Sequence, residues 1–425
     1  MCAYPPIVPP AHPLRHRGTE SRTLLRFLGL SFPHSHPLDS TLTPFDFSTA
    51  PDRTGSDSIK WRRYAGLDVI PMWVADMDFA APPAVLDALH ARIDHGVFGY
   101  ADPWPSVLEA VVEGIARDHA WRIQPEWLVW LPGVVTGFNV AVRAVGQPGD
   151  GVFTATPVYP PFLHAPANFE QRLVTTPLVK SGQRWEWDWP ATEAAVADGV
   201  RLFMLCNPHN PVGRVFDRDE LGRIAALAER HDLTICSDEI HCGLVLDPAT
   251  PHIPIAALDE QVARRTITLM APSKTWNIPA LYCAFAIIPD VTLRARYKGA
   301  MAGIVPHVNV LGLTATEVAY RDCGPWRKAL IATLRSNAAR VVEAVNAVPG
   351  LSTTPVEATY LAWIDCRDWL AAKGIDNAAR HFEQAGVGLS DGKDFGLPGF
   401  VRLNFGCPAA RLEEGLARIR RAVTG

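Results

Sequence analysis

Paired cysteines are the first feature that this 425-residue chain lacks, because its eight cysteines are scattered and form no CxxC pair. In a chain of this length the scatter argues against a disulfide framework and favours a reducing compartment. We therefore predict a cytoplasmic protein. Cys236 and Cys242 lie close to His241, which leaves a metal site open. We favour small buried thiols on a strand and predict no metal.

Long apolar runs and runs of basic residues are also missing. No apolar stretch reaches the roughly 18 residues that a membrane-spanning helix needs. The short run 24–32 is interrupted by Arg26, and no small-residue cleavage site follows it, so we predict no secretion signal. The formal net charge is −4 without a polybasic run, which argues against nucleic acid as a partner.

Residues 1–44 differ in composition from the rest of the chain. They are rich in Pro, His, Ser and Arg and show no sustained hydrophobic period. We predict a disordered extension there, or residues upstream of the true translation start. For the remainder we predict 45–87 as the N-terminal part of a small domain, 88–322 as a large ligand-binding domain and 323–425 as the C-terminal small domain.

Strand and helix patterns alternate through the middle of the chain. Apolar residues recur at helical spacing in 82–96 and 105–121. The alternation predicts an α/β fold with a mostly parallel sheet. After Cys323, a long helical stretch, two strand-like segments and a basic amphipathic helix predict a smaller α+β domain. Short apolar runs bounded by turn residues predict five buried strands in the middle of the chain: 151–157, 200–208, 232–239, 265–272 and 282–289.

Three chemically distinct side chains follow these predicted strands: Asn207, Asp238 and Lys274. Because parallel strands end at one edge of a sheet, we expect them to lie together where such folds bind ligands. Each also has a plainer interpretation, as an ordinary loop residue, a turn cap and a solvated surface charge, respectively. The functional interpretation is a lysine that forms imines and a carboxylate that keeps a pyridine nitrogen protonated.

A glycine turn before a predicted helix completes the pattern, because free backbone N–H groups after Gly133 can cradle a phosphate. Together these segments resemble the fold-type I pyridoxal 5′-phosphate (PLP) enzymes of the aspartate-aminotransferase superfamily. They resemble the MalY/PatB cystathionine β-lyase branch most closely. The resemblance spans Ile70 to Pro408 and rests on the motifs IPMWVADMDFAAPPAV, VFGYADP, LPGVVTGFNVAVRA, TPVYPPF, CNPHNPVGRV, SDEIHCGLVL, APSKTWNIPAL, TYLAWID and GFVRLNFGCP.

The resemblance implies cofactor contacts for five side chains. Lys274 would carry PLP as a Schiff base and later move the α-proton of the substrate, and the neighbouring Ser273 would contact the cofactor. Asp238 would pair with the pyridine nitrogen, and Asn207 would donate to the phenolic oxygen. Tyr159 would stack on the ring, with a core tyrosine as the alternative.

The resemblance also implies contacts with phosphate, with substrate and between subunits. The backbone amides of Val134 and Val135 would bind phosphate, and Arg402 would clamp the substrate α-carboxylate with its planar fork. Tyr100 would reach the phosphate in a partner subunit, which implies a homodimer with shared active sites. His241 would either tune the site or be a buried, satisfied histidine.

Two positions depart from the pattern of the superfamily. Ala271 stands where many relatives have a phosphate-binding serine, and Tyr282 stands where aminotransferases often carry a phosphate-binding arginine. Phosphate contacts are therefore missing there or supplied elsewhere. The resemblance implies a carbon–sulfur β-lyase that acts on L-cystathionine or cysteine S-conjugates. The alternatives are a PLP-dependent aminotransferase and a PLP-binding regulatory protein with little turnover.

Overall fold

A computed structural model describes residues 45–197 and 199–425. The predicted disordered extension, residues 1–44, lies outside the described residues. The helices are α1 Ile59–Arg62, α2 Pro83–Asp94, α3 Pro105–His119, α4 Val134–Val145, α5 Pro160–His164, α6 Trp189–Val196, α7 Arg218–Arg230, α8 Glu260–Arg264, α9 Val291–Met301, α10 Val310–Asp322, α11 Gly324–Asn346, α12 Arg367–Lys373, α13 Ala378–Gln384 and α14 Ala409–Thr424. The strands are β1 Ile70–Pro71, β2 Leu128–Leu131, β3 Gly151–Thr156, β4 Arg172–Ser181, β5 Arg184–Trp187, β6 Val200–Cys206, β7 Thr234–Asp238, β8 Thr266–Met270, β9 Ala284–Ile287, β10 Ser352–Thr353, β11 Leu361–Asp365, β12 Val387–Gly388, β13 Ser390–Asp391 and β14 Phe400–Asn404.

Local sequence signals explain where several helices begin and end. A proline occupies the first turn of both α2 and α3, where its missing N–H costs nothing. Helix α7 begins with a capping box in which the Asp217 and Glu220 side chains bind each other's backbone N–H groups. The helices and strands predicted from hydrophobic periodicity are confirmed, including α2, α3 and the five strands β3, β6, β7, β8 and β9.

The large sheet has eight strands in the order β2-β9-β8-β7-β6-β3-β4-β5. The central run from β8 to β4 is parallel, and antiparallel pairs flank it on both sides. The strand order reverses between β6 and β3, and ligands bind beyond the carboxyl ends of strands at such a switch point. The predicted α/β class with a mostly parallel large sheet is confirmed.

A second, smaller α+β unit follows the large sheet in the chain. Its antiparallel sheet has the order β10-β11-β14-β13. Strand β1 pairs in parallel with β12, so that Ile70 faces Val387, and the segment before α2 joins the C-terminal part of the chain. The predicted domain limit between residues 87 and 88 falls inside α2, and the limit between 322 and 323 falls between α10 and α11. Both limits stay predictions.

Apolar packing on both faces of the large sheet holds the strand ends in place. Strands β6, β7 and β8 are almost fully buried, as expected for parallel strands covered on both sides. In the part of the chain that is described, no helix is long and apolar enough to cross a membrane.

Candidate active site

The sheet register brings together the three polar residues at or just beyond the carboxyl ends of β6, β7 and β8. Cys206 lies opposite Asp238, and Asp238 lies opposite Leu269 on the next strand. The backbone N–H of Asn207 donates to the Asp238 carbonyl at 3.0 Å. Lys274 follows β8 within four residues. The predicted meeting of Asn207, Asp238 and Lys274 at one sheet edge is therefore present in the fold.

The Asp238 carboxylate is buried without a cation in hydrogen-bonding contact among the described residues. It is 4% exposed, and its Oδ1 accepts one hydrogen bond, from the Ile240 backbone N–H at 3.0 Å. Burial raises the pKa of Asp238 to about 7, although the nearby positive charge of Lys274 partly opposes this rise. An uncompensated buried carboxylate of this kind favours a cationic ligand.

Two further buried groups beside Asp238 have unused hydrogen-bonding capacity. Asn207 is fully buried, and its Oδ1 accepts from the Phe216 backbone N–H at 3.0 Å, which leaves Nδ2 as an amide donor. Neither Asn207 Nδ2 nor His241 Nδ1 has a partner among the described residues. The His241 ring lies 6.0 Å from the Tyr360 ring in an edge-to-face arrangement. Burial holds the pKa of His241 well below its usual value, so its ring is neutral.

The Lys274 amine shares an acceptor with a tyrosine that sequence reasoning did not single out. Lys274 Nζ donates to the Ala75 carbonyl at 2.6 Å, and the Tyr360 hydroxyl donates to the same oxygen at 2.8 Å. Burial, helped by the positive charge of Arg402, lowers the pKa of Lys274 to about 8, against the opposing charge of Asp76. Tyr360 lies within the motif TYLAWID, and its contact with Ala75 spans 285 residues of sequence.

Ala75 belongs to a segment, residues 73–79, that we call the strap. The carbonyls of residues 73 to 77 each accept at least one side-chain hydrogen bond, and so does that of Phe79. Asn277 holds the strap most directly, because its amide nitrogen binds the carbonyls of Met77 at 3.0 Å and Phe79 at 2.7 Å. Its amide oxygen also accepts from the Met77 N–H at 2.9 Å. The strap is therefore fixed to the lysine loop by side chains rather than by a strand ladder.

Arg402 on β14 reaches the same site from the smaller sheet. It is 5% exposed, and its Nη1 donates to Asn210 Oδ1 at 3.0 Å while its Nη2 donates to the Trp73 carbonyl at 2.8 Å. Its Nε has no partner among the described residues, and its guanidinium lies 4.7 Å from the centre of the Phe395 ring. Burial lowers the pKa of Arg402 to about 10. A guanidinium with a spare buried N–H is suited to a carboxylate.

The predicted phosphate cradle lies at the start of α4. Helix α4 begins at Val134, and its first intrahelical bond runs from Gly137 N–H to the Gly133 carbonyl at 3.0 Å. The backbone N–H groups of Val134, Val135 and Thr136 therefore point out of the helix end without intrahelical acceptors. No heavy atom beyond its own chain neighbours lies within 4 Å of the place where a Gly133 Cβ would stand, so the space before the helix is open. This arrangement can bind an anion.

The two predicted aromatic contacts differ in where they lie. Tyr159 precedes α5, and burial raises its pKa, with the charges of Arg402 and Asp238 acting on it as well. Tyr159 therefore lies in the site. Tyr100 is fully exposed in a segment without regular structure, and the single chain does not bring it to the cluster. The contact predicted for Tyr100 is with the phosphate of a partner subunit, and it stays a prediction.

The three remaining positions singled out in the sequence, Ser273, Ala271 and Tyr282, differ in how far they are exposed. Ser273 is half-buried directly before Lys274, and Ala271 is buried at the end of β8. Tyr282 is 64% exposed and adopts a left-handed backbone conformation with φ 48°. Position 282 therefore supplies no positively charged side chain to a phosphate.

An open α/β sheet that gathers a half-buried lysine, a buried carboxylate and an anion cradle at its carboxyl edge defines an enzyme site of the doubly wound class. Residues 68–419 match the model of the aminotransferase class I and II family, and the chain belongs to that family. It is 37% identical over 391 residues to cystathionine β-lyase PatB of Bacillus subtilis (strain 168), a match that covers 89% of this chain and 100% of that protein.

Two solved structures extend the comparison. The crystal structure of OvoB superposes with a TM-score of 0.87 at 45% identity, covering 90% of this chain and 100% of the other. Cystalysin from Treponema denticola, whose crystal structure contains a pyridoxal 5′-phosphate cofactor, gives a TM-score of 0.84 at 33% identity, covering 89% and 98%. The predicted family membership is confirmed.

Proposed function

We propose that this protein is a PLP-dependent carbon–sulfur β-lyase that cleaves L-cystathionine or cysteine S-conjugates to a thiol, pyruvate and ammonia. The observation that carries the proposal is the convergence of Lys274, Asp238 and Arg402 at one sheet edge, each with a pKa shifted by burial. The similarity to the cystathionine β-lyase PatB supports the lyase reaction. The cofactor in cystalysin supports PLP.

The residues present fit this cofactor. The buried Asp238 carboxylate lacks a cationic partner, and a protonated pyridine nitrogen supplies one. The unused donor of Asn207 suits a phenolic oxygen, and the helix end at Val134 and Val135 suits a phosphate. Ser273 lies beside Lys274, where its hydroxyl is available for a further contact.

Other side chains would complete the cofactor site. Tyr159 would lie against the face of the ring, and His241, neutral and with a spare nitrogen, would lie beside it. Tyr100 would reach the site of a second copy of the chain. The exposure of Tyr100, Val97 and Phe98 on one short segment supports a homodimer, since contiguous apolar surface marks interfaces. Light scattering of the wild-type protein and of Tyr100→Ala tests this arrangement.

Each proposed step has a residue of this chain to perform it. Arg402 binds the α-carboxylate of the substrate through its buried fork and so orients the bond between Cα and its hydrogen. Lys274, with a pKa of about 8, takes the proton from Cα. When bound, PLP supplies an electron-accepting ring, and Asp238 holds a proton on its nitrogen. A thiolate at Cβ then leaves, and one water molecule hydrolyses the remaining three-carbon fragment to pyruvate and ammonia.

The test is pyruvate release from L-cystathionine by the holoenzyme without any keto acid. We expect release that is lost in Lys274→Ala, while circular dichroism shows the variant to be folded. Amino transfer that appears only after a keto acid is added would instead establish an aminotransferase, a reaction that the family match also supports. A bound chromophore without either reaction would favour a regulatory role.

We also propose a cytoplasmic location. The seven cysteines within the described residues are free, and six of them are buried. Free thiols in this number are typical of a reducing compartment. Fractionation of cells that express the protein, with antibody detection, tests the location.

A further inference from the structure

His209 is a buried histidine to which the proposed reaction gives no role. It is 1% exposed and lies in the loop after β6, between Asn207 and Asn210. Both of its ring nitrogens face backbone carbonyl oxygens: Nε2 lies 2.7 Å from that of Pro157, and Nδ1 lies 3.1 Å from that of Cys206. The contact with Cys206 is local, whereas the contact with Pro157 reaches the loop after β3. One imidazole therefore links two loops.

The two loops follow the neighbouring strands at which the order of the large sheet reverses. Strand β3 ends at Thr156, β6 ends at Cys206, and the two strands pair in parallel. Open α/β sheets bind their ligands in the crevice beyond such strands. Tyr159 lies two residues after Pro157, and Asn207 directly follows Cys206. The link therefore sets the distance between two loops that each carry a proposed cofactor contact.

The protonation of the ring decides which of its two contacts is a hydrogen bond. Carbonyl oxygens only accept, and a neutral imidazole carries one N–H. Burial lowers the pKa of His209 to about 4, and the two carbonyls, which raise this pKa, do not offset the burial. The ring is therefore neutral near pH 7. The shorter contact places its N–H on Nε2, so that the bond between the loops is the one formed.

Contacts of His209 within its own loop hold the ring in place. Its backbone N–H donates to the Arg214 carbonyl at 2.7 Å. Its ring lies edge to face with the Phe216 ring, with 5.6 Å between the centres, and the Phe216 N–H donates to Asn207 Oδ1 at 3.0 Å. The position of Nε2 is therefore fixed relative to Asn207.

We propose that His209 is a positioning residue that holds the loop of Tyr159 at a fixed distance from Asn207. It acts through the hydrogen bond from Nε2 to the Pro157 carbonyl and touches neither cofactor nor substrate. Loss of this bond leaves a carbonyl without its donor and frees Tyr159 to move away from the ring that it would stack on. The consequence for cofactor binding rests on the proposed function, whereas the link between the loops does not.

Two substitutions separate the contacts of the imidazole. The amide nitrogen of His209→Gln stands near the place of Nε2, and that of His209→Asn stands near the place of Nδ1. The dissociation constant of PLP is measured by titrating the cofactor-free protein. We expect His209→Asn to raise it about five- to tenfold and His209→Gln to stay within about twofold of wild type. The visible circular dichroism of bound PLP, which reports how the ring is held, should weaken in His209→Asn alone.

His381→Asn is the matched control, because His381 is a half-buried histidine whose Nε2 lies 3.2 Å from the carbonyl of Ala422, on α14. Equal dissociation constants and dichroism in His209→Asn and His209→Gln overturn the positioning role, whether both match wild type or both are weakened. Should His209→Asn fail to fold, a folded His209→Gln that binds PLP roughly tenfold or more weakly than wild type overturns it.

A wild-type protein that binds no PLP overturns the proposed function instead. The link between the loops is then tested without cofactor, by hydrogen exchange of the Val158 N–H, which donates to the Phe395 carbonyl at 3.0 Å. We expect this amide to exchange faster in His209→Asn than in His209→Gln, because only the glutamine keeps the Pro157 carbonyl in place. Equal exchange rates in the two variants overturn the positioning role.

Discussion

Replacing Asp238 with asparagine should stabilise the cofactor-free protein, and increasingly so as the pH rises. The folded-state pKa of Asp238 is raised to about 7 from a usual value of 3.8, chiefly by burial. Because this pKa is raised, the contribution of Asp238 to the free energy of unfolding is fully present below pH 3.8 and is lost as the pH rises through 7. With 1.36 kcal/mol per pKa unit, the cost of the buried charge is about 2 kcal/mol at pH 5 and about 4 kcal/mol at pH 8.

The assay is urea denaturation of the full chain stripped of cofactor, for wild type and Asp238→Asn, at pH 5 and pH 8. The difference in unfolding free energy between variant and wild type should grow by about 2 to 3 kcal/mol between the two pH values. Any fixed cost of burying the amide cancels in this comparison. The same variant should lose pyruvate release, because a neutral amide cannot hold the ring nitrogen protonated.

Asp118→Asn is the control for this titration. Burial raises the pKa of Asp118, but two hydrogen bonds from Arg327 at 2.6 Å and 2.9 Å outweigh it, so the net pKa is lowered. Asp118 is therefore ionised in both states from pH 5 to 8, and its variant should differ from wild type by a constant amount. An Asp238→Asn difference that is equally constant would refute the reasoning about the buried charge.

Three further predictions concern the reacting groups, and pyruvate release followed through lactate dehydrogenase measures them all. The acid limb of kcat should rise with pH toward the pKa of Lys274 near 8, because the lysine amine is free to act as a base only in the enzyme–substrate complex. Asp76→Asn should shift this limb to lower pH, because the Asp76 charge raises that pKa, and an unmoved limb contradicts this. Tyr360→Phe removes one of two donors to the Ala75 carbonyl and should lower kcat about fivefold without changing cofactor absorbance. Arg402→Lys loses the bidentate fork and should raise KM by roughly tenfold or more, whereas a KM within twofold of wild type would argue against the clamp.

The sequence was most informative where one element carried its own signal. The strands before Asn207, Asp238 and Lys274 are short, apolar and bounded by turn residues, so both their type and their carboxyl ends could be predicted. Once they are parallel neighbours, simple geometry places the three side chains together. Arg402 could be placed in the site only through the resemblance to a family, because it comes from a different sheet.

The strap and its contacts could not be predicted from local pattern. Ala75 matters through its carbonyl oxygen, which every residue possesses, and its partners Lys274 and Tyr360 lie 199 and 285 residues away. Asn277 adopts a left-handed backbone conformation with φ 56° and uses both ends of its amide on the strap. Nothing in the alternation of apolar and polar residues encodes which backbone carbonyl a distant side chain will reach.

The groups of the candidate site lower the stability of the fold, although they suit the proposed chemistry. Burial shifts Asp238, Lys274 and Arg402 each toward its neutral form, and donors on Asn207 and Arg402 stay unmet among the described residues. A ligand that brings a cation to Asp238 and acceptors to Asn207 and Arg402 removes these costs only in the folded state. Such a ligand stabilises the protein by mass action, and the gain should shrink in Asp238→Asn, where one cost is already absent. The groups that would perform the reaction are therefore also those that couple cofactor and substrate binding to folding.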